Sequence, residues 1–140
     1  MPSNIVSLRM RPQQRERVQH LARRRGKSVS ETLVGLVEEG LRAAEYPLVQ
    51  FRDSSVGREA YVMGTSTAVW EVAWLARFFG GDADAVAGHL NWPLARVRAA
   101  LNYGARFPEE IQDALEDMER DPRDLQAMLP SLRVVTVGDD

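Results

Sequence analysis

The sequence predicts a mainly α-helical protein of two small domains, the first opening with one short strand and the second with a short β-hairpin. Apolar residues alternate with polar ones over residues 6–11 and recur at helical spacing through most of the remaining chain. Proline and glycine residues separate these periodic stretches. The charge also changes sign near residue 47: nine cations and five carboxylates, a net of +4, are followed by nine arginines and fifteen carboxylates, a net of −6. Such an asymmetry indicates two parts of the chain with different partners.

The first predicted domain covers residues 1–46 and contains one strand and two helices. The strand is predicted over Ile5 to Arg11 because one side is apolar (Val6, Leu8 and Met10) and the other polar (Ser7, Arg9 and Arg11). Pro12 suits the first turn of a helix that Gly26 ends. Ser30 is the predicted N-cap of a second helix, which Pro47 ends.

So short a domain cannot satisfy this strand or build a sufficient core by itself. A strand needs a partner, and two helices bury little apolar surface. We therefore expect two chains to pair their strands and interlock their helices as a homodimer. The predicted dimer core consists of Val6, Leu8, Met10, Leu33, Leu36 and Val37.

A family resemblance rests on Val6-Ser-Leu-Arg-Met-Arg-Pro12, on the Gly26 turn and on the stretch Gly-Lys-Ser-Val-Ser-Glu-Thr-Leu at 26–33. Through these motifs residues 4–46 resemble the Arc/MetJ/CopG ribbon-helix-helix domain. The resemblance implies an antiparallel ribbon of two strands that enters the major groove of double-stranded operator DNA. It implies base reading by Ser7, Arg9 and Arg11, and phosphate binding by Lys27, Ser28, Val29 and Ser30.

Ile5 departs from that family pattern, which has a further polar base-reading residue at this position. Two interpretations stay open: a narrower readout than usual, or a contact between Ile5 and a thymine methyl group.

The second predicted domain, residues 47–118, is helical with an N-terminal hairpin, and residues 119–140 form a C-terminal tail suited to binding a partner. The predicted elements are strands at Leu48 to Asp53 and Glu59 to Met63, a helix capped at Thr65 to Thr67 and running to Phe79, and helices beginning at Asp82, at Trp92-Pro93 and at Pro108. Gly80-Gly81 separates the first two helices.

Residues 49–115 resemble a small winged-helix-type domain of unknown function that is often encoded beside PIN-like ribonucleases. The resemblance rests on Tyr61-Val-Met-Gly-Thr65, on the helix to Phe79, and on the stretches Asp82 to Leu90 and Pro93 to Tyr103. Ser66-Thr67 replace the basic-apolar pair expected next. The last two stretches also fit a second helix-turn-helix with Arg96 and Arg98 on its reading helix, although the acidic surroundings favour a structural or partner-binding role.

Together these features predict an antitoxin and autorepressor of a type II toxin–antitoxin pair, whose toxin is a PIN-like ribonuclease. Arginines of the tail, Arg120, Arg123 or Arg133, are candidates to enter the carboxylate-lined site of such a toxin. The alternative is a stand-alone regulator whose second domain oligomerises or reads another DNA element. We expect no enzyme, no cofactor and no metal, because the chain has no cysteine, only two isolated histidines and no catalytic motif. The expected location is the cytoplasm.

Overall fold

The computed structural model describes residues 4–54 and 57–119. It divides the chain into two compact units, Met1–Glu45 (unit 1) and Tyr46–Asp140 (unit 2). The described residues form six α-helices and one two-stranded antiparallel sheet. The prediction of a mainly helical chain with a short hairpin is therefore confirmed.

Unit 1 contains helix α1 (Pro12–Arg25) and helix α2 (Val29–Glu45), preceded by residues 4–11, which have no regular secondary structure in the single chain. Pro12 occupies the first turn of α1, as its fixed φ favours. Gly26 ends α1 in the left-handed region at φ 63°, and the N–H of Lys27 reaches back 3.0 Å to the carbonyl of Ala22. The turn predicted at Gly26 is confirmed.

The first residue of α2 corrects the predicted cap. Ser28, rather than Ser30, is the N-cap: its Oγ accepts the N–H of Glu31 at 3.1 Å, while the Glu31 carboxylate accepts the N–H of Ser28 at 3.4 Å. This reciprocal capping box satisfies two N–H groups that the helix leaves open. Ser30 consequently lies inside the first turn.

Unit 1 buries very little of itself. Among its described residues only Ala22 on α1 and Thr32 on α2 are buried. Two helices packed side by side thus leave most of the apolar stripe of α2 uncovered.

Unit 2 begins with strands β1 (Val49–Ser54) and β2 (Gly57–Val62), which pair antiparallel in the register Val49 to Val62 and Ser54 to Gly57. This is the predicted hairpin. Four helices follow: α3 (Val69–Phe78), α4 (Ala83–Leu90), α5 (Leu94–Arg106) and α6 (Pro108–Glu119). Asp82 caps α4 by accepting the N–H of Ala85 at 3.2 Å.

Helix α3 begins later than predicted. Thr65 to Thr67 do not cap it, because the Thr65 hydroxyl closes its own turn, donating to the carbonyl of Val62 at 2.7 Å and accepting the N–H of Thr67 at 3.1 Å. An isolated bridge then pairs Ala68 with Tyr61 of β2 before the helix starts. The hairpin therefore extends over residues that look like a helix start in the sequence.

The core of unit 2 lies between the sheet and α3, α5 and α6. Its buried apolar residues are Val49, Ala60, Val62, Ala68, Val69, Trp70, Val72, Leu75, Ala76, Val86, Val97, Ala100, Tyr103, Ile111, Leu115 and Met118. Tyr103 is fully buried, and its hydroxyl donates to the Glu110 carboxylate at 2.7 Å. Unit 2 thus has a core of its own, in contrast to unit 1.

Candidate nucleic-acid interface

The three predicted base-reading side chains, Ser7, Arg9 and Arg11, are all exposed in the single chain. Arg11 has extended backbone angles, φ −67° and ψ 150°, directly before α1. Among the described residues, the segment 5–11 pairs with no other strand, so the ribbon, which needs a second chain, stays a prediction. The segment is not helical, and the described residues of unit 1 leave these three side chains exposed.

The apolar side of this segment meets the helices of unit 1. Leu8 and Met10, with Arg9 between them, line a groove whose apolar wall is formed by Val18, Leu21 and Leu36. Met10 is half-buried, whereas Val6 and Leu8 remain 78% and 62% exposed. The groove aligns the segment with the two helices without covering its outer residues.

The predicted phosphate-binding residues lie at the amino end of α2. Lys27, Ser28 and Ser30 are exposed and Val29 is half-buried. The capping box occupies the N–H groups of Ser28 and Glu31. The N–H groups of Val29 and Ser30 have no intrahelical acceptor because they belong to the first turn, where the helix dipole favours an anion.

Cations are concentrated around this helix end. Arg23 and Arg24, in the last turn of α1, are exposed, and Lys27 follows directly after the Gly26 turn. Arg25 is half-buried, and its Nε is enclosed without a hydrogen-bond partner among the described residues. One ion pair of unit 1 joins Arg42 to Glu38 within α2 at 2.8 Å, away from these cations.

A row of large apolar side chains is also exposed on unit 1. On α2, Val34, Val37 and Leu41 are 70%, 54% and 53% exposed and follow one another at helical spacing. Of the other predicted dimer-core residues, Leu33 and Leu36 are half-buried. We call Val6, Leu8, Val34, Val37 and Leu41 the apolar row.

In unit 2 the two arginines of the predicted reading helix differ. Arg96 is half-buried, with its guanidinium 5.5 Å from the centre of the Trp92 ring, while Arg98 is exposed. Near the end of α3, Phe78 is 61% exposed and stacks on Trp74 with ring centres 5.5 Å apart. The predicted toxin-contacting arginines, Arg120, Arg123 and Arg133, lie outside the described residues.

One titratable group that we did not single out in the sequence is Glu71, in the first turn of α3. Its side chain is buried, its Oε1 accepts the N–H of Ala68 at 3.2 Å, and Glu59 and Tyr61 of β2 are close to it. Burial, opposed by the hydrogen bond from Ala68 and assisted by the Glu59 charge, raises the pKa of Glu71 from 4.5 to about 7. A glutamate at the third residue after a helix cap predicts its hydrogen bond to the N–H of the cap residue. The sequence carries no such signal for the burial of the Glu71 side chain.

Comparison with protein-family models, with curated proteins and with solved structures finds no match to this chain. Over the described residues, no three His, Asp or Glu side chains are grouped so as to hold a metal ion. None of the helices in that part of the chain is both long and apolar enough to cross a membrane.

Proposed function

We propose that this chain is the antitoxin of a type II toxin–antitoxin pair. As a dimer it binds operator DNA and represses its own transcription, and it neutralises a toxin of the PIN-like ribonuclease kind. The observation that carries the DNA-binding half is that unit 1 buries only two of its described residues and exposes both the apolar row and a group of cations. A monomer with these two surfaces lacks a partner on each.

The apolar row supports a second copy of the chain as its partner. Fully burying a valine or leucine side chain contributes about 1.5–3 kcal/mol. Val37 and Leu41 are 54% and 53% exposed, so each gains roughly half of that amount on association. A two-fold axis doubles each contribution. Several such contacts offset a cost of association of about 4–15 kcal/mol. Pairing of residues 5–11 across the same axis would also satisfy the backbone of the predicted strand.

The cations support duplex DNA as the other partner. Ser7, Arg9 and Arg11 would face the bases from the ribbon, since the major groove is wide enough for two strands. Lys27 and the N–H groups of Val29 and Ser30 would bind a phosphate beside it. Net positive charge on unit 1 favours this assignment, because phosphate contacts supply much of the affinity for DNA.

The toxin-binding half of the proposal rests on the sequence of the second part of the chain. This part is acidic, unlike unit 1, and its tail carries arginines among carboxylates. The exposure of Arg98 on α5 favours one second candidate, a stand-alone regulator in which α4 and α5 read a further DNA element.

One experiment separates these functions in the full-length chain. Operator binding is measured by gel shift on the promoter DNA, and neutralisation by growth on coexpression with the product of the neighbouring gene. Arg9→Ala should weaken operator binding by roughly 5- to 150-fold, the equivalent of about 1–3 kcal/mol for a bidentate base contact, and leave neutralisation intact. Replacing Arg120, Arg123 and Arg133 together by alanine should abolish neutralisation and leave operator binding intact.

Arg98→Ala is the matched control, and it should leave both readouts unchanged. Weaker DNA binding by this variant would favour the stand-alone regulator. Growth arrest that the wild-type chain does not relieve would exclude the antitoxin function.

Dimerisation is tested by sedimentation of the same full-length chain. Val37→Asp places a charge in the apolar row and should produce monomers that bind operator DNA weakly. Ala43→Asp is the control, because Ala43 is exposed on the opposite side of α2. Dimers of unchanged stability in Val37→Asp would contradict the proposed interface.

A further inference from the structure

Ile5 is an apolar side chain that the predicted dimer core does not account for. It is 97% exposed, more than any other large apolar side chain in the described residues. Alternation along an extended segment puts it on the side of Ser7 and Arg9, opposite Val6 and Leu8. It is also absent from the groove that Leu8 and Met10 line with the helices of unit 1. The described residues of unit 1 therefore leave it uncovered.

If the proposed DNA-binding function is correct, the side of the segment that carries Ile5 faces the major groove, and the chemistry of that groove identifies a partner for the side chain. Base edges in the major groove are hydrogen-bonding groups with one apolar exception, the C5-methyl group of thymine. An isoleucine on the cationic side of the ribbon would leave most base edges unsatisfied, whereas it would gain from burying that methyl group.

We propose that Ile5 is a specificity-determining residue that contacts a thymine methyl group in each half of the operator. Ile5 and Arg9 are four residues apart, about 13 Å along a strand at about 3.3 Å per residue. Base pairs are spaced by about 3.4 Å along the duplex. The thymine therefore lies within about four base pairs of the base that Arg9 contacts.

The test uses the full-length chain and DNA that it selects itself. Binding sites are enriched from a randomised duplex, and the selected thymines are then replaced one at a time by deoxyuridine, which lacks only the methyl group. At the thymine that Ile5 contacts, the loss should be about fourfold per half-site, the equivalent of about 0.8 kcal/mol for one buried methyl-sized group. The base read by Arg9 is located by comparing the sites enriched by the wild-type chain and by Arg9→Ala, because the preference for that base should be lost in the variant.

Two variants at position 5 and one at position 7 assign the effect to Ile5. Ile5→Val keeps a branched apolar side chain and should retain the difference between thymine and deoxyuridine. Ile5→Asn should bind both duplexes equally. Ser7→Ala, on the same side of the segment, should keep the difference.

Equal binding of both duplexes by the wild-type chain would overturn the proposal, as would a difference that persists in Ile5→Asn. If Ile5→Asn instead dissociates the dimer in sedimentation and weakens selected and random DNA alike, Ile5 belongs to the dimer core and the proposal is wrong. A wild-type chain that enriches no sequence at all would overturn the proposed function as well, so the two failures are distinguishable.

Discussion

Replacing Glu71 by glutamine should make unit 2 more stable at alkaline pH and remove part of its pH dependence. Glu71 is buried at the start of α3 with the Glu59 carboxylate nearby, and its pKa is raised from 4.5 to about 7. A carboxyl with a raised pKa binds more protons in the folded state than in the unfolded state. The contribution of Glu71 to the stability of unit 2 therefore falls as the pH rises from about 4.5 to about 7, and it stays reduced above that range.

The size of this effect follows from the two pKa values. Between them each pH unit lowers the free energy of unfolding by about 1.4 kcal/mol, so the largest possible loss is about 3–4 kcal/mol. We expect about 2–3 kcal/mol, because local relaxation lets water reach an ionised carboxylate. Glutamine has no charge to bury, yet its Oε1 can still accept the N–H of Ala68.

Tryptophan fluorescence during urea unfolding measures this effect on unit 2 alone, since Trp70, Trp74 and Trp92 all belong to that unit. The stability difference between Glu71→Gln and the wild-type chain should be near zero at pH 4 and reach its full value at pH 8. Glu116→Gln, an exposed change on α6, is the control and should show no such trend. A difference that is constant with pH, or a glutamine variant that is less stable at pH 8, would refute the reasoning.

Three further substitutions test the local structure. Ser28→Ala should cost about 1 kcal/mol of stability in unit 1 through loss of the α2 cap, whereas Ser30→Ala should be nearly neutral. Both are measured by circular dichroism at fixed protein concentration, and equal costs would contradict the observed capping box. Gly26→Ala should cost about 1 kcal/mol because the φ of 63° is unfavourable for a residue with a Cβ, and an unchanged melting temperature would argue against this helix end. Leu75→Ala, in the core of unit 2, should cost about 2–5 kcal/mol by the tryptophan assay; a cost below 1 kcal/mol would mean that α3 is not packed as observed.

Structure determined by a few neighbouring residues could be predicted from the sequence. Pro12 and Gly26 delimit α1 because one fixes φ and the other accepts a positive φ, and Asp82 caps α4 with its own carboxylate. The prediction of Ser30 as the N-cap was wrong, although neighbouring residues carried the signal for the correct cap. The spacing from Ser28 to Glu31 is that of a capping box, and two reciprocal hydrogen bonds are worth more than one.

Features that depend on distant residues could not be predicted in this way. The start of α3 is displaced because Ala68 pairs with Tyr61 of β2, and neither residue signals that pairing locally. The burial of Glu71 has the same origin, since it requires the hairpin to pack on the first turn of α3. In the candidate interface, the sequence predicts which side chains of residues 5–11 share a side, but their exposure depends on what the helices of unit 1 cover.

Unit 1 lacks the core that unit 2 has, and for this reason its two proposed activities, dimerisation and DNA binding, depend on each other. Unit 2 closes its core within one chain, whereas unit 1 buries only Ala22 and Thr32 among its described residues, although α2 is as clearly amphipathic as α6. A partner that covered the apolar row alone would leave residues 5–11 without a second strand. In the proposed dimer a second copy would supply both, and it would place two sets of cations on one surface. Binding to a two-fold symmetric operator would then stabilise the dimer by mass action, so that repression and folding of unit 1 depend on the same association.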